Sequence, residues 1–227
     1  HIAMTPRQEV ALGLQAVPEM MAQHGGEYPD PRLQAIVDRV GQKIVDASPA
    51  RNSGWEFDFH LLRDPRTINA FALPGGQVFI TYALFERFET EGELAGVLGH
   101  EIGHVVARHS AQRMAKQQLS QGVTTAVLVA SGSAREAMLA QAISSMVNMK
   151  YGRDDELQSD SIGVAYMSDA GYDPRAMIRV QEILAQSGPA GPPEWLSTHP
   201  STGNRIATIE AAIDERWPNG VPDGLSQ

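Results

Sequence analysis

The sequence has no cysteine among its 227 residues, which excludes disulfide-stabilised folds and metal sites built from thiolates. Basic residues are also scarce, because 18 Lys and Arg stand against 27 Asp and Glu, for a formal net charge of −9. Without a basic cluster to follow a phosphate backbone, nucleic acid is not an expected partner. Long hydrophobic runs are missing too, since no stretch approaches the roughly 20 apolar residues that span a bilayer.

The remaining composition is that of one globular domain over residues 1–227. Apolar residues make up 42% of the chain, which is enough for a sizeable core. The opening His1-Ile2-Ala3-Met4 resembles a cloning remnant. A targeting segment, or a segment that attaches the protein to a membrane surface, could therefore have been removed ahead of it. Nothing in the sequence indicates an oligomeric state.

Two different periodicities indicate an α+β fold that is mostly helical. Alternating apolar and polar residues from Trp55 to Leu61 predict one strand. The segments Thr67–Leu73 and Gln77–Thr81 predict two more, with a tight turn at Pro74-Gly75-Gly76 between them. Because the connections are short, we expect a small, mainly antiparallel three-stranded meander beside longer helices.

The clearest motif, HExxH, extends from His100 to His104 within a predicted helical run of residues 93–118. About one turn of helix separates the two histidines, so both imidazoles project from one face and can hold one Zn²⁺ per chain. Glu101 lies beside them, where it can reach a metal-bound water. An amphipathic helix with two surface histidines is the alternative.

The third metal ligand distinguishes the families that share this motif. Metzincins need a glycine and a histidine at positions that here hold Ala107 and Ser110. His109 stands one position away and, on a continuous helix, points about 140° away from His104, so we exclude it from the site. Peptide deformylases use a cysteine, which the chain lacks. A carboxylate from a later helix is the option that remains.

Glu156 and Asp160 meet that requirement. They are four residues apart on one predicted helix face, so Glu156 can bind the metal while Asp160 accepts a hydrogen bond from a ligand imidazole. Taken alone, such a pair in an acidic stretch is more often merely solvated. Together with the upstream HExxH motif, Glu156 becomes the favoured third ligand.

In order along the chain, these blocks resemble the zinc metallopeptidase family that includes HtpX, the CaaX prenyl protease and the periplasmic proteases BepA and LoiP. The resemblance implies a gluzincin (zincin) fold in a single catalytic domain, polypeptide substrates, and a place in the bacterial periplasm or cell envelope. The matching blocks are Asn69–Gly76, Glu93–His104, Glu156–Asp160, Gly171–Pro174 and Ser197–Pro200 with Arg205.

The chain departs from that family in three respects. Ser159 replaces an alanine of the ligand helix, a change too small to threaten the site. The stretch from Gln121 to Met149 is too polar to be the pair of membrane spans that some members carry there. No helical repeat domain follows the catalytic blocks. These departures favour a soluble, minimal member.

The resemblance also implies roles for residues outside the ligand helices. Asn69, Ala70 and Phe71 resemble the edge strand on which substrate adds as a further strand, and Arg205 could brace the loop around His199. Three roles stay open for His199: a surface residue, a hydrogen-bond donor to the transition state, or a fourth zinc ligand that latches the resting enzyme.

We therefore expect a zinc-dependent endopeptidase that hydrolyses unfolded or misassembled proteins, with Glu101 as the general base. The alternative is a zinc-bound binding module or chaperone-like factor whose protease activity is latched or vestigial. The presence of Glu101 favours the enzyme, because a pure binding module would not need it.

Overall fold

The structure is a computed structural model, and it describes residues 4–121, 143–186, 192–201 and 203–227. Helices dominate the described residues, as predicted. A short 3₁₀ turn lies at Pro49–Asn52, and residues 143–147 are also helical. The named helices are α1 (Pro6–Gln23), α2 (Pro31–Ala47), α3 (Tyr82–Phe85), α4 (Glu91–Val106), α5 (His109–Gln121), α6 (Arg153–Asp169), α7 (Ala176–Ala185), α8 (Trp195–Thr198) and α9 (Arg205–Arg216).

The sheet is mixed, so the predicted antiparallel meander is wrong. Its strands are β1 (Asp58–Leu62), β2 (Ala70–Ala72) and β3 (Gln77–Thr81), in the order β1-β3-β2. The tight turn after β2 makes β2 and β3 an antiparallel hairpin, whereas β1 pairs with the other edge of β3 in parallel. Alternation along a strand predicts which residues are buried but not which strand lies beside it.

The two outer edges of this sheet differ. The side chain of Gln34 in α2 covers the edge of β1, because it donates to Phe59 O at 2.8 Å and accepts from Leu61 N at 2.7 Å. Tyr28 N also donates to Leu61 O at 2.9 Å. No described strand pairs with the outer edge of β2. The sheet is therefore closed by helix and loop on one side and left with an unpaired strand on the other.

The helices pack on both faces of the sheet. Asp30 caps the N-terminus of α2, and the buried stripe of that helix joins the larger core with β1, α4, α6 and α7. The opposite face carries a second cluster, in which Ala16 and Met20 of α1 pack against Phe71 and Phe79. α1 thus covers the side of the sheet that α2 and α4 leave open.

Helix α4 carries the HExxH motif and begins with a capping box between Thr90 and Glu93. It does not continue to residue 118. It ends at Val106, and Arg108 adopts a left-handed conformation with a φ of 59° before α5 begins at His109. The prediction of one continuous helix is wrong because a single positive φ, which few non-glycine residues adopt, redirects the chain.

Helices α4 and α6 approach each other closely through small residues. A Cβ atom on Gly103 would lie 3.1 Å from the Cα and O of Ser159, and one on Gly99 would lie 3.3 Å from the carbonyl oxygen of Gly163. Larger side chains at these positions would separate the helix backbones. This contact brings the face of α6 that carries Glu156 against the HExxH residues of α4.

No helix of the described residues is long and apolar enough to cross a membrane. The stretch from Gln121 to Met149, in which spans were not expected, lies mostly outside the described residues. The organisation of residues 1–227 as one domain stays a prediction.

The helix contact gives a stability prediction. Gly103→Val should lower the free energy of unfolding by about 1–3 kcal/mol, because its side chain meets backbone atoms that cannot rotate away. Urea unfolding of the metal-free protein would measure the loss. Gly96→Ala, on the same helix, is the control, because its Cβ would meet the flexible side chain of Met177 at 3.0 Å. Equal losses in the two variants would contradict the close-packing argument.

Candidate metal centre

Four buried side chains converge between α4, α6 and the segment that contains α8. They are His100, His104, Glu156 and His199, and each can offer one ligand atom within 4.8 Å of the others. The Nε2 atoms of His100 and His104 are 3.0 Å apart, and His104 Nε2 is 3.4 Å from Glu156 Oε1. The three residues predicted as metal ligands are thus together, and His199 joins them.

The unpaired atoms of this cluster fit a cation. Both carboxylate oxygens of Glu156 and the Nε2 of His199 are buried without a hydrogen-bond partner. Two imidazole nitrogens on one tetrahedral Zn²⁺ are about 3.3 Å apart, close to the observed 3.0 Å. Burial lowers the pKa of His100, His104 and His199, so each imidazole is neutral and keeps a lone pair.

Glu101 lies beside the cluster and is fully buried, with neither oxygen hydrogen-bonded. Its Oε1 is 3.5 Å from His199 Nε2. Burial raises its pKa well above the ordinary value, and the charge of Glu156 adds to the effect. Burial likewise raises the pKa of Glu156 to about 8, although Arg205 opposes the rise. Arg205 Nη1 lies 3.0 Å from Glu156 Oε2, but this one guanidinium does not offset the effect of burial on the pKa of either carboxylate.

Asp160 and Arg205 lie directly behind the cluster. His100 Nδ1 is 2.8 Å from Asp160 Oδ1, and Arg205 holds both oxygens of Asp160 at 2.7 and 2.8 Å. Burial would raise the pKa of Asp160, but the hydrogen bonds from Arg205 and His100 outweigh it and hold the pKa low. We expected Arg205 to brace the His199 loop, whereas its described polar contacts are with Asp160, Glu156 and His100.

His199 is completely buried, which excludes the surface role. Its Nδ1 lies 2.9 Å from the hydroxyl of Thr198, and that hydroxyl donates to Trp195 O. Because the hydroxyl proton is used, Thr198 accepts from Nδ1–H of His199, and Nε2 keeps its lone pair. The indole of Trp195 stacks on the imidazole, with ring centroids 3.9 Å apart. The segment therefore presents an unprotonated Nε2 to the cluster.

Two residues that the sequence patterns did not identify also contact His104. His109 Nδ1 lies 2.9 Å from His104 Nδ1, so the prediction that it points away from His104 is wrong, although His109 is not among the four residues that could hold the metal. That prediction assumed a continuous helix, which the left-handed Arg108 breaks. The ring of Tyr151 stacks on His104 with centroids 3.8 Å apart, and its hydroxyl bonds with Ser110 at 2.8 Å. Tyr151 belongs to no recognised motif, so no pattern would have identified it.

The predicted substrate strand lies next to α4 as β2. In its register with β3, the backbone groups of Phe71 face β3, and those of Ala70 and Ala72 point to the unpaired edge. The phenyl ring of Phe71 is buried in the second core. The amide of Asn69 donates to Glu194 Oε1 at 3.4 Å, which links β2 to the His199 segment.

Residues 31–213 match the sequence profile of Peptidase family M48. The chain belongs to this family. It is 33% identical to the Beta-barrel assembly-enhancing protease of Yersinia pestis, over 97% of this chain and 46% of that protein. It is 34% identical to the Mitochondrial metalloendopeptidase OMA1 of Schizosaccharomyces pombe, over 79% of this chain and 52% of the relative. The resemblance inferred from the motifs is thus confirmed.

Family membership assigns the enzyme class, which is metallopeptidase, and with it a dependence on a metal and polypeptide substrates. The chain spans about half of the length of each of these two relatives, 46% and 52%.

The charge network behind the cluster gives a second stability prediction. In the metal-free protein, Arg205→Met should cost about 3–5 kcal/mol, because it leaves buried carboxylates uncompensated. Arg216→Met on the same helix is the control: its side chain is 38% exposed, and loss of its pair with Asp169 should cost less than about 1 kcal/mol.

The loss in Arg205→Met should depend on pH. Because the pKa of Asp160 is lower in the folded protein, its ionised carboxylate stabilises the fold at pH values above its pKa in the unfolded chain, about 4. This stabilisation disappears as the pH falls through the pKa of the folded protein. The difference in the free energy of unfolding between Arg205→Met and the unsubstituted protein should therefore be largest at neutral pH and become smaller in acid. Urea unfolding as a function of pH would measure it, and a difference independent of pH would contradict the role of Asp160.

Proposed function

We propose that this chain is the catalytic domain of an endopeptidase that binds one Zn²⁺ through His100, His104 and Glu156. The observation that carries the proposal is the convergence of four buried side chains that can each offer one ligand atom, among which both oxygens of Glu156 and Nε2 of His199 have no hydrogen bond in the described residues. Two imidazoles and one carboxylate are the donor set of catalytic zinc sites, which keep a further position for water or substrate. Imidazole nitrogen suits Zn²⁺ better than the harder cations Mg²⁺ and Ca²⁺.

The supporting residues have complementary parts in this proposal. A bound Zn²⁺ would polarise the scissile carbonyl and lower the pKa of water to near neutrality. Glu101 would then take the proton from the attacking water and return it to the leaving amine. Asp160 accepts from His100 Nδ1, which fixes the tautomer that leaves Nε2 free, and Arg205 keeps Asp160 ionised.

The unpaired edge of β2 is proposed to bind the substrate backbone. Ala70 and Ala72 present N–H and C=O groups to that edge, and an extended peptide could pair with them as a fourth strand. The backbone of Ala72 lies near enough to Glu101 to act on its pKa, so a paired peptide would pass beside the proposed base. Recognition through the backbone accepts many sequences, which suits an enzyme that clears unfolded or misassembled chains.

The compartment is part of the same proposal. The name of the Yersinia pestis relative refers to β-barrel assembly, a process of the bacterial envelope. We therefore propose that this chain acts in protein quality control in the periplasm or cell envelope. Finding the protein by fractionation with cytoplasmic markers alone would contradict this placement.

A latched enzyme is the second candidate function, and the position of His199 favours it. Its unprotonated Nε2 belongs to the same four-residue cluster, so it could occupy the coordination position that water needs. Its segment is attached to the substrate strand, because Trp195 N donates to Ile68 O at 3.2 Å. Movement of this segment would free the metal position and the start of the strand together.

The first test separates metal binding from catalysis. Glu101→Gln should keep about one zinc per chain and lose about 10²-fold or more in peptidase turnover, because the amide cannot take a proton. His100→Ala should lose the zinc as well. Elemental analysis and cleavage of unfolded casein, with and without a chelator, would measure both properties. Stoichiometric zinc in His100→Ala, or full activity in Glu101→Gln, would overturn the assignment.

The second test addresses His199. If it latches the metal, His199→Ala should raise turnover of a short peptide several-fold while zinc is retained. If it donates to the oxyanion, the same variant should instead lose about 10²-fold. His60→Ala, which removes a half-buried histidine far along the chain from the site, is the control. A turnover equal to that of the unsubstituted protein would dismiss both roles.

A further inference from the structure

The two proposed zinc ligands on α4 have different partners behind them. His100 Nδ1 faces a carboxylate, that of Asp160, at 2.8 Å. His104 Nδ1 instead faces the imidazole nitrogen Nδ1 of His109 at 2.9 Å, and both rings are buried. A histidine that binds a metal normally donates its second N–H to a carboxylate, a carbonyl or water. Another imidazole in this position requires an account of which nitrogen carries the proton.

The distance of 2.9 Å fixes the relation between the two rings. Two lone pairs would repel at this separation and two N–H groups would collide, so one Nδ1 donates and the other accepts. If His104 donates, its Nε2 carries the lone pair that a metal needs. If His109 donates, His104 must be protonated at Nε2 and cannot bind. The tautomer of His109 therefore decides whether His104 is a ligand.

The surroundings of His109 favour the tautomer that allows binding. Its Nε2 lies 3.0 Å from the carbonyl oxygen Oε1 of Gln158, which can only accept a hydrogen bond. The carboxylate of Asp155 lies 3.9 Å from the same nitrogen, and this negative charge favours an N–H there whichever way the amide of Gln158 is turned. With the proton at Nε2, the neutral ring of His109 has its lone pair at Nδ1, facing His104.

The backbone that brings His109 to this position is held from outside α4 and α5. The left-handed Arg108 directs the start of α5 back toward His104. Its Nε donates at 2.9 Å to Glu9, a fully buried carboxylate of α1, and its Nη2 donates to Met4 O at 3.0 Å. These contacts stabilise a conformation that otherwise costs free energy in a non-glycine residue.

We propose that His109 is a positioning residue for the metal centre. It accepts the Nδ1 proton of His104 and so keeps the Nε2 lone pair of His104 directed at the metal, with Gln158 and Asp155 setting its own tautomer. The proposal rests on the proposed zinc site and adds to it a ligand-orienting residue from α5. Its substitution should affect metal affinity without removing a ligand.

Two substitutions of nearly equal size separate the hydrogen bond from packing. In His109→Asn, the amide oxygen stands as many bonds from Cα as the accepting Nδ1 does, so it can still accept from His104. His109→Leu has a similar shape and accepts nothing. We expect zinc affinity to fall by about 10- to 100-fold in His109→Leu and by less than about threefold in His109→Asn. Competition with a graded series of chelators would measure both.

The variant His104→Ala distinguishes an error in this proposal from an error in the proposed zinc site. If His104→Ala binds zinc like the unsubstituted protein, the proposed ligand set is wrong. If it loses zinc while His109→Leu retains full affinity, the ligand set stands and the role of His109 is refuted. Equal losses in the Leu and Asn variants would also refute it, because they would indicate packing alone.

A further measurement uses the unsubstituted protein, so its result does not depend on whether a variant folds. Nitrogen-15 NMR of the histidine side chains in the zinc-bound protein distinguishes a protonated ring nitrogen from one that carries a lone pair. We expect His104 to be protonated at Nδ1 and His109 at Nε2. The reverse pattern, with His109 protonated at Nδ1 and His104 at Nε2, would overturn the proposal.

Discussion

A shortage of positive charge in a dry interior is the constraint on which the site depends. The carboxylates of Glu101, Glu156 and Asp160 are completely buried, and among the described residues Arg205 is the cation that contacts Glu156 and Asp160. A buried carboxylate without a partner costs several kcal/mol. One guanidinium compensates Asp160, whereas burial raises the pKa of the other two carboxylates. A divalent cation between the imidazoles would correct this imbalance, which connects the electrostatics of the fold to the chemistry of the family.

The backbone has to bring these charges together, and it does so through residues with little or no side chain. Gly103 against Ser159 and Gly99 against Gly163 allow α4 and α6 to touch. The same contact sets the distance between the histidines of one helix and the carboxylates of the other. The packing of the two helices and the spacing of the candidate ligands therefore depend on the same interface.

The parts of this site that the sequence predicted are those governed by the helix period. His100 and His104, and likewise Glu156 and Asp160, are four residues apart, so each pair shares a face whatever the rest of the fold does. The family blocks then indicated that the two helices meet. Such reasoning is local, and it succeeded where the relevant geometry lies within one helix or one matched block.

The parts that the sequence did not predict depend on contacts between distant residues. The position of β3 between β1 and β2 is decided by which edges remain free once the hairpin has formed. The break at Arg108 depends on Glu9, a residue 99 positions away, and no periodicity records such a pair. The error about His109 followed from this break. Arg205 was recognised but assigned to the wrong neighbours, because a motif gives the identity of a residue and not the direction of its side chain.

The ion pair between Glu9 and Arg108 also bears on where this catalytic unit begins. The match to the family covers residues 31–213, so it leaves out α1 altogether. Yet α1 covers one face of the sheet and supplies the buried carboxylate that holds the chain behind His104. A fragment trimmed to the family match would keep every proposed ligand and lose the support of one of them. The residues that support the proposed site therefore extend upstream of residue 31, where the family match begins.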